Sequence, residues 1–155
     1  MELQNPRFLP VVLQRLAHHL YERKIVFLAR LLSSLNLVFF CIEIGMRCEI
    51  GPGLYLPHTV GTVIGALRIG NHAVIYHQVT IGAKEMDIGY HEDKRPVIGD
   101  NVIIGSGAKV LGGITIGHNV TIGANAVVTH SVPDNVVVGG IPARILKEKS
   151  TVSQN

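Results

Sequence analysis

The stretch IGDNVIIGSGAKVLGGITIGHNVTIGANAVVTHSV, residues 98–132, decides the fold. An aliphatic residue returns in it every six positions, at Ile98, Ile104, Val110, Ile116, Ile122 and Val128. Four positions after each stands another small or aliphatic residue: Val102, Ala108, Ile114, Val120, Ala126 and Val132. A helix repeats its apolar side chains every 3.6 residues and a strand every second residue, so neither accounts for this period. A solenoid of triangular coils does, each hexapeptide supplying one short strand and one turn. Gly99, Gly105, Gly117 and Gly123 follow the inward aliphatic residues, where neighbouring coils approach closely.

Upstream of this stretch the hexad is looser. Its row residues read Ile44, Ile50, Leu56, then a seven-residue step to Val63, then Ile69, Ile75 and Ile81. The repeat stops between Gly82 and Pro96, where the polar run AKEMDIGYHEDKRP reads as a loop protruding from one coil. With three rows per coil, His58 and His77 project outward one above the other, separated by about 4.8 Å of backbone. Ser106 and Ala124 continue that column, so two imidazoles and two small residues line one groove. Past Val132 the repeat ends at Pro133, and GGIPARILKEK leaves the solenoid with Arg144, Lys147 and Lys149 exposed.

Ahead of the repeat, residues 8–23 form an amphipathic helix beginning near Pro10, with Leu13, Leu16 and Leu20 on one face and Arg15, His18 and Glu22 on the other. The apolar segment 25–42 approaches the ~20 residues of a membrane span, but Arg30, Ser33, Ser34 and Asn36 interrupt it. The expectation is two helices capping the first coil, with a peripheral contact at the inner membrane face left open. The domain division is therefore a helical segment 1–42, a β-helix 43–140 with a protruding loop 82–97, and a tail 141–155. A net charge of +3 is too small for a nucleic-acid surface. Cys41 and Cys48 lack metal-type spacing and read as thiols of a reducing compartment, and no signal-peptide pattern opens the chain, so the expected location is cytoplasmic.

The segments PHTVGTVIG (57–65), VTIGA (79–83), DKRPVIGDNVIIGSGAKVLGGITIG (93–117), IGANAVV (122–128) and GIPARI (140–145) together resemble the serine O-acetyltransferases and related hexapeptide-repeat acyltransferases. That resemblance implies a left-handed parallel β-helix, a homotrimer with active sites between subunits, and acetyl transfer from acetyl-CoA to a hydroxyl without a metal. The family's catalytic histidine falls on His58. A neutral imidazole suits the task, since the alcohol must lose its proton as it attacks the thioester. The acid that orients this histidine, an Asp in the family, falls on Glu43. The CoA groove falls on Gly82, Ala83, Ser106 and Ala124, with Arg144 and Lys147 as partners for its phosphates.

Departures bear on the acceptor. Family members using serine carry an acid just before the catalytic histidine and an Arg-His pair before the loop-ending proline. Here Pro57 and Lys94-Arg95 occupy those places, and the family's long helical N-terminal domain is largely absent. A free amino acid needs a partner for its ammonium. The expected acceptor is therefore a sugar or surface-polysaccharide hydroxyl met by Lys94, Arg95 and His77, with serine as the alternative. Two further readings stand beside these. His72 and His77 resemble the zinc-binding spacing of γ-class carbonic anhydrases, and a non-catalytic scaffold predicts no affinity for acetyl-CoA. His91, His118 and His130 read as surface residues.

Overall fold

The computed structural model describes residues 8–149. The segment MELQNPR, on which the reading of a missing leader partly rests, and the end of the expected tail, 150–155, lie outside the described residues. Helices α1 (Leu9–Glu22) and α2 (Val26–Phe40) precede a triangular parallel β-helix. Its first face carries β1 (Ile42–Ile44), β3 (Thr62–Ile64), β6 (Thr80–Gly82), β9 (Lys109–Leu111) and β12 (Val127–Val128). The second holds β2 (Glu49–Ile50), β4 (Arg68–Ile69), β7 (Val97–Ile98) and β10 (Thr115–Ile116). The third holds β5 (Val74–Ile75), β8 (Ile103–Ile104), β11 (Thr121–Ile122), β13 (Val136–Gly140) and β14 (Ala143–Glu148).

Parallel register stacks like on like through the core. Ile44, Ile64, Ile81, Val110 and Val128 form one inward column, Ile69, Ile98 and Ile116 a second, and Ile75, Ile104, Ile122 and Val138 a third. All of these are buried. Fully burying such an aliphatic chain is worth about 1.5–3 kcal/mol, so the hexad period is the main source of the solenoid's stability. The small second positions Ala108 and Ala126 are fully buried, and the triangular core leaves them no room to grow.

The row expected at Val63 falls instead on Ile64. Ile64 is fully buried while Val63 is 37% exposed, and Ile64 pairs with Ile44 and Ile81. The corner at Pro57–Gly61 holds extra residues, so the step from Leu56 is longer than seven and the next step to Ile69 shorter than six. Strand alternation then turns Val63 outward.

Each coil turns through left-handed residues that the period alone does not announce. His72, Asn101, Asn119 and Asn135 stack at the corner between second and third faces, and Gln78, Gly107 and Asn125 at the corner between third and first, all with φ between +55° and +73°. Their N–H groups donate to the coil before, as in Asn101 N to Asn71 O at 2.8 Å and Asn125 N to Ser106 O at 2.8 Å. Asparagine adopts this region more cheaply than other side chains, which explains its recurrence at the turns.

The helices cap the first coil, by a different face from the one expected. Val11, Gln14 and Ala17 are buried, whereas Leu16 is half exposed. Gln14 donates to Cys48 O at 3.0 Å, Arg15 to Ile50 O and Gly51 O, and His18 Nδ1 bonds Met46 O at 2.9 Å. The open end of a β-helix presents bare carbonyls, so polar side chains and a small alanine win this contact over leucines. Leu9, Val12 and Leu16 of α1 and Phe27, Leu31 and Val38 of α2 are left exposed on this single chain. No helix among the described residues is long and apolar enough to cross a membrane.

The C-terminal region also differs from the expected departure at Pro133. Val136 and Val138 continue the third face for one more row, and β14 turns back antiparallel onto β13. Pairing satisfies the backbone edge that a departing tail would expose. Arg144, Lys147 and Lys149 therefore stand on or beside a hairpin strand, the first two exposed and Lys149 half-buried.

Candidate active site

Leu56, buried beneath the corner between third and first faces, sets the position of His58. Pro57 is buried and restricts the backbone just before the imidazole, which is exposed. One coil further, Ile75 sets His77 in the same way. The two rings meet edge to face, their centroids 5.6 Å apart and their planes at 85°. Gly107 N donates to His77 O at 3.0 Å, and Asn125 N to Ser106 O, so Ser106 and Ala124 follow in the same corner. The expected column of His58, His77, Ser106 and Ala124 is thus one continuous edge of the solenoid.

A cleft of about 260 Å³ opens beside His58, lined by Leu56, Pro57, Thr59 and Val60 together with Pro10 of α1 and Phe40 of α2. The helices therefore build one wall of the cleft. Nothing in the hexad pattern assigns Pro10 or Phe40 to it, because their approach depends on how α1 and α2 dock. An apolar wall strengthens any hydrogen bond made inside it.

Other expected site residues are dispersed. Glu43 points outward from β1 beside Val63, and among the described residues no hydrogen bond or ion pair joins it to His58. Gly82 and Ala83 follow the inward residue of the first face, so they sit at its far corner, across the face from Ser106 and Ala124. This corrects the expectation that all four share one column. A side chain added at Gly82 would meet open space, so a ligand can approach its backbone. Arg144 and Lys147 are exposed on β14, the Arg144 guanidinium donating to the adjacent Ala143 O at 3.1 Å. His72 and His77 lie at different corners of one coil and do not converge, and the described residues contain no group of three or more His, Cys, Asp or Glu placed to hold a metal.

Of the loop residues, Lys94 ends a short 3-10 turn, Glu92–Lys94, and is exposed. Arg95 is turned back onto the coil, donating to Gly65 O at 3.0 Å and to Asp87 Oδ2 at 3.0 Å, with its guanidinium 4.0 Å from the centre of the Tyr90 ring. Arg47 covers the same ring at 4.4 Å. Asp87 also takes the His91 ring N–H at 2.6 Å. The clamp of Asp87, Arg95 and His91, invisible in sequence because the charges lie several residues apart in an irregular loop, folds the excursion against the solenoid.

The hydrogen bond from His91, aided by Arg95 and opposed by desolvation, holds the Asp87 carboxyl below the ordinary carboxylate range. A carboxylate with a lowered folded pKa stabilises above its unfolded value of about 3.9, and that contribution is lost as pH falls through the folded value. The loop is thus expected to stay clamped at neutral pH and to loosen only in acid. Asp87→Asn should make tryptic cleavage after Lys84 and Lys94 several-fold faster at pH 7. Equal cleavage of variant and parent would mean the clamp does not hold the loop.

Against this geometry, the family described as bacterial transferase hexapeptide (six repeats) matches residues 95–130. A serine acetyltransferase of Staphylococcus xylosus is 48% identical over 134 residues, covering 86% of this chain and 61% of that protein. The chain is similar to the hexapeptide-repeat transferases. A serine acetyltransferase of Bacillus subtilis is 44% identical over 85% of this chain and 60% of its own length. Among solved structures, a Brucella melitensis serine O-acetyltransferase superposes with a TM-score of 0.86 at 37% identity, covering 96% of this chain and 58% of that one. A serine acetyltransferase in complex with CoA superposes at 0.80 with 32% identity, over 88% of this chain and 55% of its own. The chain thus spans about three fifths of the length of the curated relatives it matches. Like these structures it is a left-handed parallel β-helix, here with short N-terminal helices. These relatives are named for serine and none for a glycan, so they back the serine alternative over the polysaccharide assignment expected from Pro57, Lys94 and Arg95.

Proposed function

We propose that this chain is an acetyl-CoA-dependent O-acetyltransferase that uses His58 as general base and serine as acceptor. The observation that carries the reading is the stacked edge from His58 through His77 to Ser106 and Ala124, beside a solvent-open cleft. The pantetheine runs along Ser106 and Ala124, whose small side chains admit it. The acceptor enters the cleft below, and Lys94, exposed at the end of its turn, brings a cation to it when the loop of one chain reaches a neighbour. Arg144 and Lys147 serve the CoA phosphates at the far end.

In the reaction the acceptor oxygen attacks the thioester carbonyl carbon while its proton passes to the His58 imidazole. A tetrahedral oxyanion forms and collapses, the carbon–sulfur bond breaks, and the imidazolium returns the proton to the thiolate. Acetyl ester and CoA thiol are the products. Glu43 orients the imidazole once the site is complete. A homotrimer supplies that completion: Gly82 and Ala83 of one chain face the His58 edge of the next, and the exposed apolar residues of α1 and α2 meet a neighbouring subunit.

Pro57 favours one second reading, a sugar hydroxyl as acceptor, because its side chain offers no carboxylate to pair with an ammonium group. Thiol release from acetyl-CoA decides between them, with L-serine in one series and neutral and acidic saccharides in the other. Turnover with serine is the expected result. Turnover with a saccharide alone would replace serine by a glycan hydroxyl, and silence in both with no calorimetric binding of CoA would remove the acetyltransferase reading.

A further inference from the structure

The helical hairpin has two unlike ends. Pro10 and Phe40 wall the cleft beside His58, and Asn36 Nδ2 donates to Pro10 O at 3.0 Å, so the start of α1 and the end of α2 lie together at the His58 edge. The turn between the helices, residues 23–25, stands at the other end, roughly 20 Å away along helices that rise about 1.5 Å per residue. A neighbouring subunit docked at the His58 edge therefore meets the near end, with Leu9, Val12, Val38 and Phe39, and leaves the tip in solvent. At that tip Phe27 is 80% exposed, and Ile25, Leu28 and Leu31 are exposed beside it. Helical spacing puts Phe27, Leu28 and Leu31 on one face, with Arg30 on its margin and Arg23 and Lys24 in the turn, all three cations exposed. From residue 23 to residue 42 the chain holds no acid. Glu22 lies next to the turn, and the adjoining cavity that it lines with Glu49 and Glu92 also carries Arg47, Arg68 and His18, so cations match the acids there.

Apolar side chains this exposed, bordered by cations, fit a layer that is apolar inside and anionic at its surface. A second copy of the tip fits them badly. An isologous contact would set Arg23, Lys24 and Arg30 of one chain against the same residues of the other, with Glu22 alone in the tip to offset them. We infer that the tip of the α1–α2 hairpin is a docking surface for an anionic lipid bilayer. Phe27, Leu28 and Leu31 enter the headgroup boundary while Arg23, Lys24 and Arg30 meet lipid phosphates. The contact is peripheral, since no helix among the described residues is long and apolar enough to cross a membrane. In a homotrimer the threefold axis sets three such tips in one plane, so a flat surface engages all of them and weak single contacts reinforce one another. The His58 cleft, at the opposite end of the hairpin, stays open. This inference goes beyond the acetyl-transfer reading and does not rest on it.

Co-sedimentation of the full chain with lipid vesicles tests it, using phosphatidylcholine alone and an equimolar mixture of phosphatidylcholine and phosphatidylglycerol, each at low and at high salt. The expected result is several-fold more protein bound to the anionic vesicles at low salt, with the excess reduced at high salt because surface charges are screened. Arg23→Glu combined with Lys24→Glu, and separately Phe27→Ser, are each expected to lower that binding several-fold, since anchoring needs both the charge and the apolar contact. All three side chains are exposed, so urea midpoints and thiol release in solution should match the parent. Equal binding to the two vesicle types, no binding of the parent to either, or full binding by either variant would overturn the inference. So would a parent particle twice the mass of the Phe27→Ser particle in lipid-free ultracentrifugation, which would give the patch to a second copy. Loss of thiol release by the parent with vesicle binding intact would instead bring down the acetyl-transfer reading alone.

Discussion

Replacing His58 by alanine is expected to lower acetyl transfer by ~10² or more while CoA binding stays near that of the parent, as removal of a general base does. The expectation rests on where the residue stands. His58 is the exposed member of the stacked pair, at the mouth of the cleft between Pro10, Phe40 and Val60. Its backbone is set by buried Leu56 and Pro57, so the truncation removes an imidazole without emptying the core. Steady-state thiol release and calorimetry on the same preparation measure the two halves of the claim. Unchanged turnover would remove His58 from the mechanism. Glu43→Gln is expected to cost less, because among the described residues no hydrogen bond or ion pair joins Glu43 to the ring, and Glu43 acts only by orienting it. The reverse order would make Glu43 the base.

The largest effect on stability is expected at Ile104. Its side chain is fully buried and lies between Ile75 and Ile122 in the central coils, whereas its neighbour Ile103 is 39% exposed. Ile104→Ala deletes packed methyl groups from a core whose backbone ladder cannot collapse to fill the space, a change that costs about 2–5 kcal/mol. Ile103→Ala should cost within about 0.5 kcal/mol, as surface substitutions away from special features do. Urea unfolding at constant slope reads both from the midpoints. Similar losses at the two positions would contradict the period-six assignment of faces. Since Ile104 also underlies the coil bearing Ser106, the variant is expected to lose CoA affinity before it unfolds.

The core of the solenoid was legible because each coil repeats one local rule. An inward aliphatic residue every six positions leaves a single way to bury all of them, and from Ile98 onward every expected row is buried. The misplacement at Val63 arose where the rule lapses, in a corner carrying extra residues that shift the count by one. The alignment of His58 with His77 survived because the short step from Ile64 to Ile69 restores the count, leaving Leu56 before the error and Ile75 after it in the same row. The helix face was misread for a different reason. Leucine spacing reports amphipathicity, but the surface met by α1 is a rim of carbonyls, for which Gln14, Arg15 and His18 are better partners.

The sequence by itself determined the period, hence the triangular coil, the edge on which the histidines and small residues stand, and the excursion after Gly82. These follow from local alternation and from the requirement that apolar side chains leave water. Only the tertiary structure decided that Pro10 and Phe40 wall the cleft, that Gly82 and Ala83 lie across the face from Ser106, and that Arg95 is held by Asp87 and Gly65. Each depends on contacts between segments far apart in the chain, whose distances and hydrogen-bond partners are set by docking and have no period to betray them.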